Sequence, residues 1–430
     1  MTAYRRRILD DLLDDVLPDL PATELHGAKG IGKTATAQRR ARSVLHLDDQ
    51  GDRELLAADT GHLARLEGPV LLDEWQRMPA VWEVVRRDVD DRGDRGRYLL
   101  TGSAAPVDVS LHSGAGRIVS LRMRPLSLAE RGIEEPTVSV AALLAGGAPV
   151  DGQTSVGLPE YVEEIVASGF PGIRAESPRV RALRLDGYLD AIIQREFAEQ
   201  GLAVRRPQTL RAWLAAYAAA TSTTASYNAI LAAATPGEAD KPAKTTTIAY
   251  RDVLTSLWML DEVEAWLPTH NHLSRLGQAP KHYLADPALA ARLLGVDAAG
   301  LLRVRGGTGG GHGDRGAGLR SGTLLGALFE HLVTLSMHSY AQAAEAGVHH
   351  LRTRNGDHEV DLVLQRGDGG VVAMEVKLAS TVTDADVRHL HWLRERLGDE
   401  LVDAVVVTTG EHAYRRADGV AVVPAALLGP

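Results

Sequence analysis

The sequence predicts an α/β protein: a parallel-sheet core first, a helical middle, and a second, smaller α/β module at the C-terminal end. Three observations predict it. Short apolar runs alternate with helix-like stretches over residues 22–135, the pattern of a parallel sheet covered by helices on both faces. Residues 136–270 are rich in Ala, Leu and Glu and read as helices. Two strand-like runs at 359–364 and 371–377 are joined by a Gly-containing turn and flanked by helical stretches.

The elements follow in order. Residues 4–17 form an amphipathic helix with Ile8, Leu9, Leu12, Leu13, Val16 and Leu17 on one face. Strands are expected at 22–26, 43–48, 69–73, 97–101 and 117–121. Between the first strand and a following helix lie Gly27, Ala28, Lys29, Gly30, Ile31, Gly32, Lys33 and Thr34, then Ala35. This is G-x-x-x-x-G-K-[ST] in its required strand–loop–helix setting. The glycines let backbone N–H groups turn inward around phosphates, and a helix starting near Gly32 adds its positive end. Lys33 is expected to reach the β- and γ-phosphates, and Thr34 to ligate Mg²⁺. ATP with Mg²⁺ is therefore the expected cofactor pair.

A phosphate loop needs an acid to hold its metal. The apolar strand at 69–73 ends in Asp73 and Glu74; Asp73 suits the Mg²⁺ shell, and Glu74 suits the general base that polarises attacking water. At the end of the strand at 97–101, Thr101 and nearby Ser103 are candidates to orient that water. Arg117 is a candidate to stabilise γ-phosphate charge, in cis or from a neighbouring subunit. It equally reads as a surface residue in a chain with 41 arginines and six lysines. A finger in trans implies a homo-oligomeric ring.

These residues carry a resemblance. Residues 27–34, the run Leu71-Leu72-Asp73-Glu74-Trp75-Gln76, Leu100-Thr101-Gly102-Ser103, Gly116-Arg117 and Arg124-Pro125-Leu126-Ser127 follow in the order of a prokaryotic family of AAA-type ATP-binding proteins, whose ATPase core precedes a C-terminal domain of unknown function. Tyr188-Leu189-Asp190, the run 280–286 and Glu359-Val360-Asp361 also resemble that family. The resemblance implies ATP binding and hydrolysis and a winged helix in the middle. The Gly-rich run at 306–313 departs from it.

Composition sets outer bounds. The 430 residues are 45% apolar and 24% charged, ordinary for a globular chain. No apolar run approaches the ~18 residues that span a bilayer, and the first residues lack the apolar stretch of a secretory signal. A cytoplasmic protein with no membrane partner is expected. With no cysteine, disulfides and thiolate metal sites are excluded. The net charge of −9 means that any nucleic-acid contact is local. Such a contact is expected at Lys241, Lys244 and Arg251, around the start of a winged-helix-like unit's second helix.

In the C-terminal module Asp361 and the Glu375-x-Lys377 pair sit on neighbouring strands of an expected hairpin. Side-chain alternation puts Glu375 and Lys377 on one face, and Glu330 from a preceding helix completes an acidic set. This resembles a PD-(D/E)xK nuclease core, in which carboxylates hold Mg²⁺ and the lysine orients water. The expected domains are an ATPase core at 1–135, a helical lid at 136–205, a winged-helix-like unit at 206–270, a connector at 271–320 and the nuclease-like module at 321–430. The expected function is ATP turnover coupled to duplex or branched DNA. A switch acting on a protein partner is the alternative, and an ATP-gated nuclease a third reading.

Overall fold

The five expected strands form one sheet in a computed structural model that describes residues 4–105, 116–235, 243–268, 278–303, 315–353 and 356–430. They are β1 (Ala22–His26), β2 (Ser43–His46), β3 (Val70–Asp73), β4 (Tyr98–Gly102) and β5 (Ile118–Arg122). Every pairing among them is parallel, in the order β2-β3-β4-β1-β5. Alternation assigns the two faces. Leu25, Leu71 and Leu99 face one core with Leu13 and Ala37, while Ala22, Leu72, Leu100 and Val85 pack into the other. The helix expected at 4–17 spans Ile8–Val16.

Parallel strands run from the same edge, so their C-terminal ends collect together. His26, Asp73, Gly102 and Arg122 all lie at one edge; register pairs His26 with Gly102 and Arg122, and Asp73 with Thr101. A ligand crevice belongs at this edge.

The middle is helical, with Leu158–Ala167, Pro178–Ala191, Pro207–Ala219, Tyr227–Ala234 and Lys244–Ser256. A π turn, Ile192–Glu196, interrupts one of the helices. After Ser256 the chain runs through an antiparallel pair of segments: Leu260 pairs with Leu284 and Val263 with Lys281. Trp266 N–H donates to His350 O at 2.6 Å, which joins this pair to the C-terminal sheet.

The C-terminal module is a mixed seven-stranded sheet, β7-β12-β13-β11-β10-β9-β8. Its strands are β8 (Ala346–Arg352), β9 (Glu359–Arg366), β10 (Val371–Val376), β11 (Leu401–Thr408), β12 (His412–Arg415) and β13 (Ala421–Pro424), with β7 (Gly152–Gln153) on its edge. A short β6 (Val138–Ser139) likewise pairs with β14 (Leu428–Gly429). Residues 138–139 and 152–153 thus pair with strands of the C-terminal module, although the sequence places them in an expected helical lid. Helices Arg315–Ala343 and Asp384–Leu397 pack on its faces. The Gly-rich run at 306–313 and Lys241 lie outside the described residues. Among the described residues, no helix is long and apolar enough to cross a membrane.

Candidate nucleotide site and a second carboxylate cluster

The loop at 27–34 needs its glycines. Gly27, Gly30 and Gly32 have φ of 148°, 83° and 102°, in the region that L side chains avoid. At Gly27 an added Cβ would come within 2.2 Å of Met123 O, so backbone contact with the end of β5 forbids any side chain. Lys33 is 4% exposed. Its Nζ donates to Gly27 O at 2.9 Å and Ala28 O at 3.0 Å. Burial lowers its pKa to about 8, opposed by Glu74 and Asp73.

Asp73 is buried between two hydroxyls. Thr34 Oγ1 donates to Asp73 Oδ1 at 2.8 Å, Thr101 Oγ1 donates to the same oxygen, and His46 Nδ1 lies 3.2 Å from Oδ2. Strand register sets this cluster, since Thr101 is Asp73's partner across β3 and β4. Glu74 follows with φ 54°, a strained turn for a non-glycine residue. Its Oε2 accepts from Gln76 Nε2 at 2.5 Å and Ser103 Oγ at 2.8 Å.

Beside the loop opens a cavity of about 480 Å³, lined by Tyr4, Ile31, Ala35, Met123, Leu126 and Pro171 among others. Arg7 fastens its wall, donating to Ile31 O at 3.0 Å, Arg124 O at 2.7 Å and Glu130 Oε1 at 2.8 Å. Glu130 also closes the capping box with Ser127, which accounts structurally for the Arg-Pro-Leu-Ser run. The helical middle touches the loop as well: Lys29 Nζ meets Glu196 of the π turn at 2.7 Å, and Tyr188 O–H donates to Lys29 O at 3.2 Å. Sequence reasoning did not find Tyr4, Arg7 or Met123. The loop residues Ile31 and Ala35 and the run containing Leu126 were the visible signals for this cavity.

Arg117 requires a correction. It precedes β5, and its carbonyl accepts from Ala22 N–H, so it lies at the edge of the sheet opposite the loop. Roughly 13 Å of strand separates the two edges, and Arg117 Nε bonds Asp90 at 2.6 Å. A cis role on the γ-phosphate is therefore excluded by topology. The arginines at the loop edge are Arg122 and Arg124, both held by Asp261, with contacts of 3.1 Å and 2.7 Å. Burial favours protonation of Asp261, but Arg122 and Arg124 outweigh it and hold its pKa far below the carboxylate range. His26, immediately before the loop, stacks on Trp258 at 4.1 Å. Burial, with Arg122, Arg124 and Lys33 nearby, lowers its pKa to about 4, which keeps it neutral.

Residues 21–131 match an AAA domain. The chain carries an AAA-type P-loop ATPase domain. Beyond its AAA domain, this ATPase matches two domains of unknown function: DUF8612 over residues 158–300 and DUF4143 over 325–428. An uncharacterised protein of Mycobacterium tuberculosis is 27% identical over 414 residues, which span 94% of this chain and 80% of that protein. An uncharacterised protein of Mycobacterium bovis matches to the same extent. Among solved structures, the Walker-type ATPase of Pyrococcus abyssi is 14% identical, covering 66% of this chain and 94% of that one with a TM-score of 0.39. The ORC2 protein of Aeropyrum pernix is 16% identical, covering 67% and 90% with a TM-score of 0.27.

The ATPase also brings its C-terminal acids together, around an unexpected partner. Lys281 Nζ lies 3.0 Å from Glu330 Oε1, 3.0 Å from Asp361 Oδ1 and 3.4 Å from Glu359 Oε1. Lys377 Nζ bonds Glu375 Oε2 at 2.6 Å, with Asp361 Oδ2 at 3.9 Å. Tyr283 O–H donates to Glu330 at 2.7 Å. Burial raises the pKa of Glu330 to about 7 and that of Glu375 to about 8, Asp361 adding to both. Burial works against a charged Lys281, but Glu330 and Asp361 outweigh it and keep the ammonium protonated. The expected Mg²⁺ position thus holds an ammonium. Among the described residues, no group of three or more His, Asp or Glu is arranged to hold a metal ion.

On the middle unit, Lys244 opens the helix Lys244–Ser256 and is exposed. The Arg251 guanidinium lies 4.9 Å from the Tyr227 ring centre and 3.5 Å from Asp252.

Proposed function

We propose that the ATPase binds ATP with Mg²⁺ at the loop edge and uses its hydrolysis to move the middle unit and the C-terminal module on DNA. The observation that carries the catalytic part is the Thr34–Asp73–Thr101 cluster with Glu74 beside it. Thr34 and Asp73 supply the hard oxygen donors that Mg²⁺ requires, and they already share a 2.8 Å hydrogen bond. Bound Mg²⁺ would neutralise charge on the β- and γ-phosphates. Lys33 exchanges the carbonyls of Gly27 and Ala28 for phosphate oxygens. Glu74 takes a proton from the attacking water once Gln76 and Ser103 release it, and Thr101 fixes that water's direction. Tyr4, Met123 and Pro171, which line the cavity, would hold the nucleotide's adenine ring. Gly30, Ile31, Gly32 and Ala35 would border the phosphates.

For the DNA part, we read the helices 207–256 with the antiparallel pair after them as winged-helix-like. Lys244 and Arg251 are its phosphate-facing candidates. The convergence of Glu330, Asp361, Glu375 and Lys377 supports a nuclease-like C-terminal core. A mobility shift on duplex and branched DNA across a salt series tests this. Binding that weakens steeply with salt and changes with nucleotide supports it; no binding at low salt overturns it.

One observation favours the second reading, a protein partner. Val180 and Leu183, three positions apart on one helix face, are 38% and 63% exposed. Failure to bind DNA would move the proposal to that surface.

A further inference from the structure

The helix Lys244–Ser256 ends in a turn that favours glycine. Trp258 N–H donates to Thr255 O at 3.0 Å, and Met259 N–H to Leu254 O at 2.9 Å. These are the two bonds of a Schellman helix end, in which the first residue past the C-cap takes a left-handed backbone and is usually glycine. Here that residue is Trp258, with φ 58°, an outlier for so bulky a side chain. Strain of this kind persists only where surrounding contacts fix it. The ring makes such contacts. It stacks on His26 at 4.1 Å, next to Gly27, and the Arg122 guanidinium lies 5.2 Å from its centre. Met123 N–H donates to His26 O at 2.9 Å, so Trp258 and the end of β5 together fix the residue from which the phosphate loop departs.

The residues around Trp258 cross the C-terminal edge of the first sheet. Ala105 N–H, just past β4, donates to Ser256 O at 3.1 Å. Beyond His26 of β1, Asp261 holds Arg122 at 3.1 Å and Arg124 at 2.7 Å, at the end of β5. Tyr188 O–H, which reaches Lys29 O in the loop, lies 3.7 Å from Met259 Sδ. The chain then leaves the edge: Asp261 N–H donates to Tyr283 O at 2.9 Å, Val263 N–H to Lys281 O at 3.0 Å, and Trp266 N–H to His350 O of β8.

We propose that residues 256–261 form a strap that holds the phosphate loop ready for ATP, with Trp258 as its positioning residue and Asp261 as its latch. The proposal rests on ATP binding at the loop edge. Because the strap runs on into the pair that meets β8, an occupied loop and the attachment of the C-terminal sheet bear on the same six residues. The tryptophan in a glycine position is explained by this role: a glycine there would suit the helix end and leave His26 without its stacking partner.

The test uses the full-length chain and a fluorescent, nonhydrolysable ATP analogue. Trp258→Gly supplies the residue this backbone prefers, so the helix end keeps its form while the ring is lost. The Kd for the analogue is expected to rise by roughly 5–150-fold, the usual span of coupling between two sites. KM for ATP should rise with it and kcat stay within roughly twofold, because no group that touches the attacking water has changed. Trp258→Phe, which keeps an aromatic face on His26, should recover most of the loss. Asp261→Asn should weaken binding in the same direction, and unchanged binding there would remove the latch. Coupling is reciprocal, so saturating analogue should slow amide exchange at Asp261 and Val263 of the wild type by a similar factor. Unchanged affinity in a folded Trp258→Gly overturns the strap and leaves ATP binding standing. Where that variant does not fold, unaltered exchange in the wild type has the same force. A wild type that binds no analogue overturns both.

Discussion

The loop edge of the N-terminal sheet and the carboxylate set of the C-terminal sheet are built from similar parts and stand in opposite states. Each brings acids on neighbouring strands together with a buried lysine. At the loop edge, the Lys33 ammonium rests on two backbone carbonyls, Gly27 O and Ala28 O. Those are neutral partners, and burial leaves the charge so poorly supported that its pKa falls to about 8. In the C-terminal set, the Lys281 ammonium touches Glu330, Asp361 and Glu359, and its pKa rises. A lysine held by carbonyls lacks an anion and is ready to receive one. A lysine held by carboxylates has already received several. The position of the neighbouring charges, more than the residue types, separates a buried lysine with neutral contacts from one held by acids.

The largest expected effect breaks the chemistry at the first site. Glu74 is held off by Gln76 and Ser103, so its carboxylate is placed but restrained. Glu74→Gln keeps the size and hydrogen bonding of the side chain and removes the base. ATP turnover should fall by roughly 10²–10⁴-fold, while nucleotide binding, measured by fluorescence of a labelled analogue, survives. Unchanged turnover would take the role of base away from Glu74.

A smaller effect sharpens the comparison through Lys33. Its pKa near 8 belongs to the protein without nucleotide. Bound phosphates favour the ammonium and raise that value, so binding takes up a proton wherever the free protein has lost one. Affinity is therefore flat below about pH 7.5 and falls above pH 8, by up to about tenfold per pH unit. Titrations of a nucleotide analogue from pH 7.5 to 9.5 would show the slope. Lys33→Arg, charged throughout that range, should bind more weakly but with a level profile. A level profile in the wild type would mean that Lys33 is already supported by charge, as Lys281 is.

Much of the first site was legible in the sequence, and much of the second was not. Parallel strands buried on both faces read as unbroken apolar runs, which is why the β3 residues, Val70 to Asp73, stand out. Backbone contact between Gly27 and Met123 tolerates only glycine, so the loop motif is visible letter by letter. Asp361 and Glu375 of the second site were also visible, because β9 and β10 form a local hairpin. Lys281 is 80 positions from Asp361, and no local pattern reports which distant segment lies across a carboxylate. Tyr4 and Arg7 escaped for the same reason, meeting Thr36 and Glu130 only in the folded chain. The two-residue strands β6 and β7 are too short to show any period.

The smallest expected effect concerns Arg117, which spacing along the chain aligned with the nucleotide. In a parallel sheet, a residue just before a strand lies at the edge away from a loop that follows a strand. Arg117 precedes β5, and the phosphate loop follows β1. Its partner there is Asp90, with both side chains about 40% exposed, a surface pair of the kind that contributes about 0.2–1 kcal/mol. Arg117→Ala should therefore leave ATP turnover within roughly twofold of the wild type and lower thermal stability only slightly. A finger reaching a neighbouring subunit would behave otherwise. Turnover per chain would rise with protein concentration, and Arg117→Ala would remove that rise together with roughly 10³-fold or more of the rate. Steady-state turnover across a concentration series, run beside light scattering, separates the two. A flat series for both proteins leaves Arg122 and Arg124, held by Asp261 at the loop edge, as the arginines that respond to nucleotide.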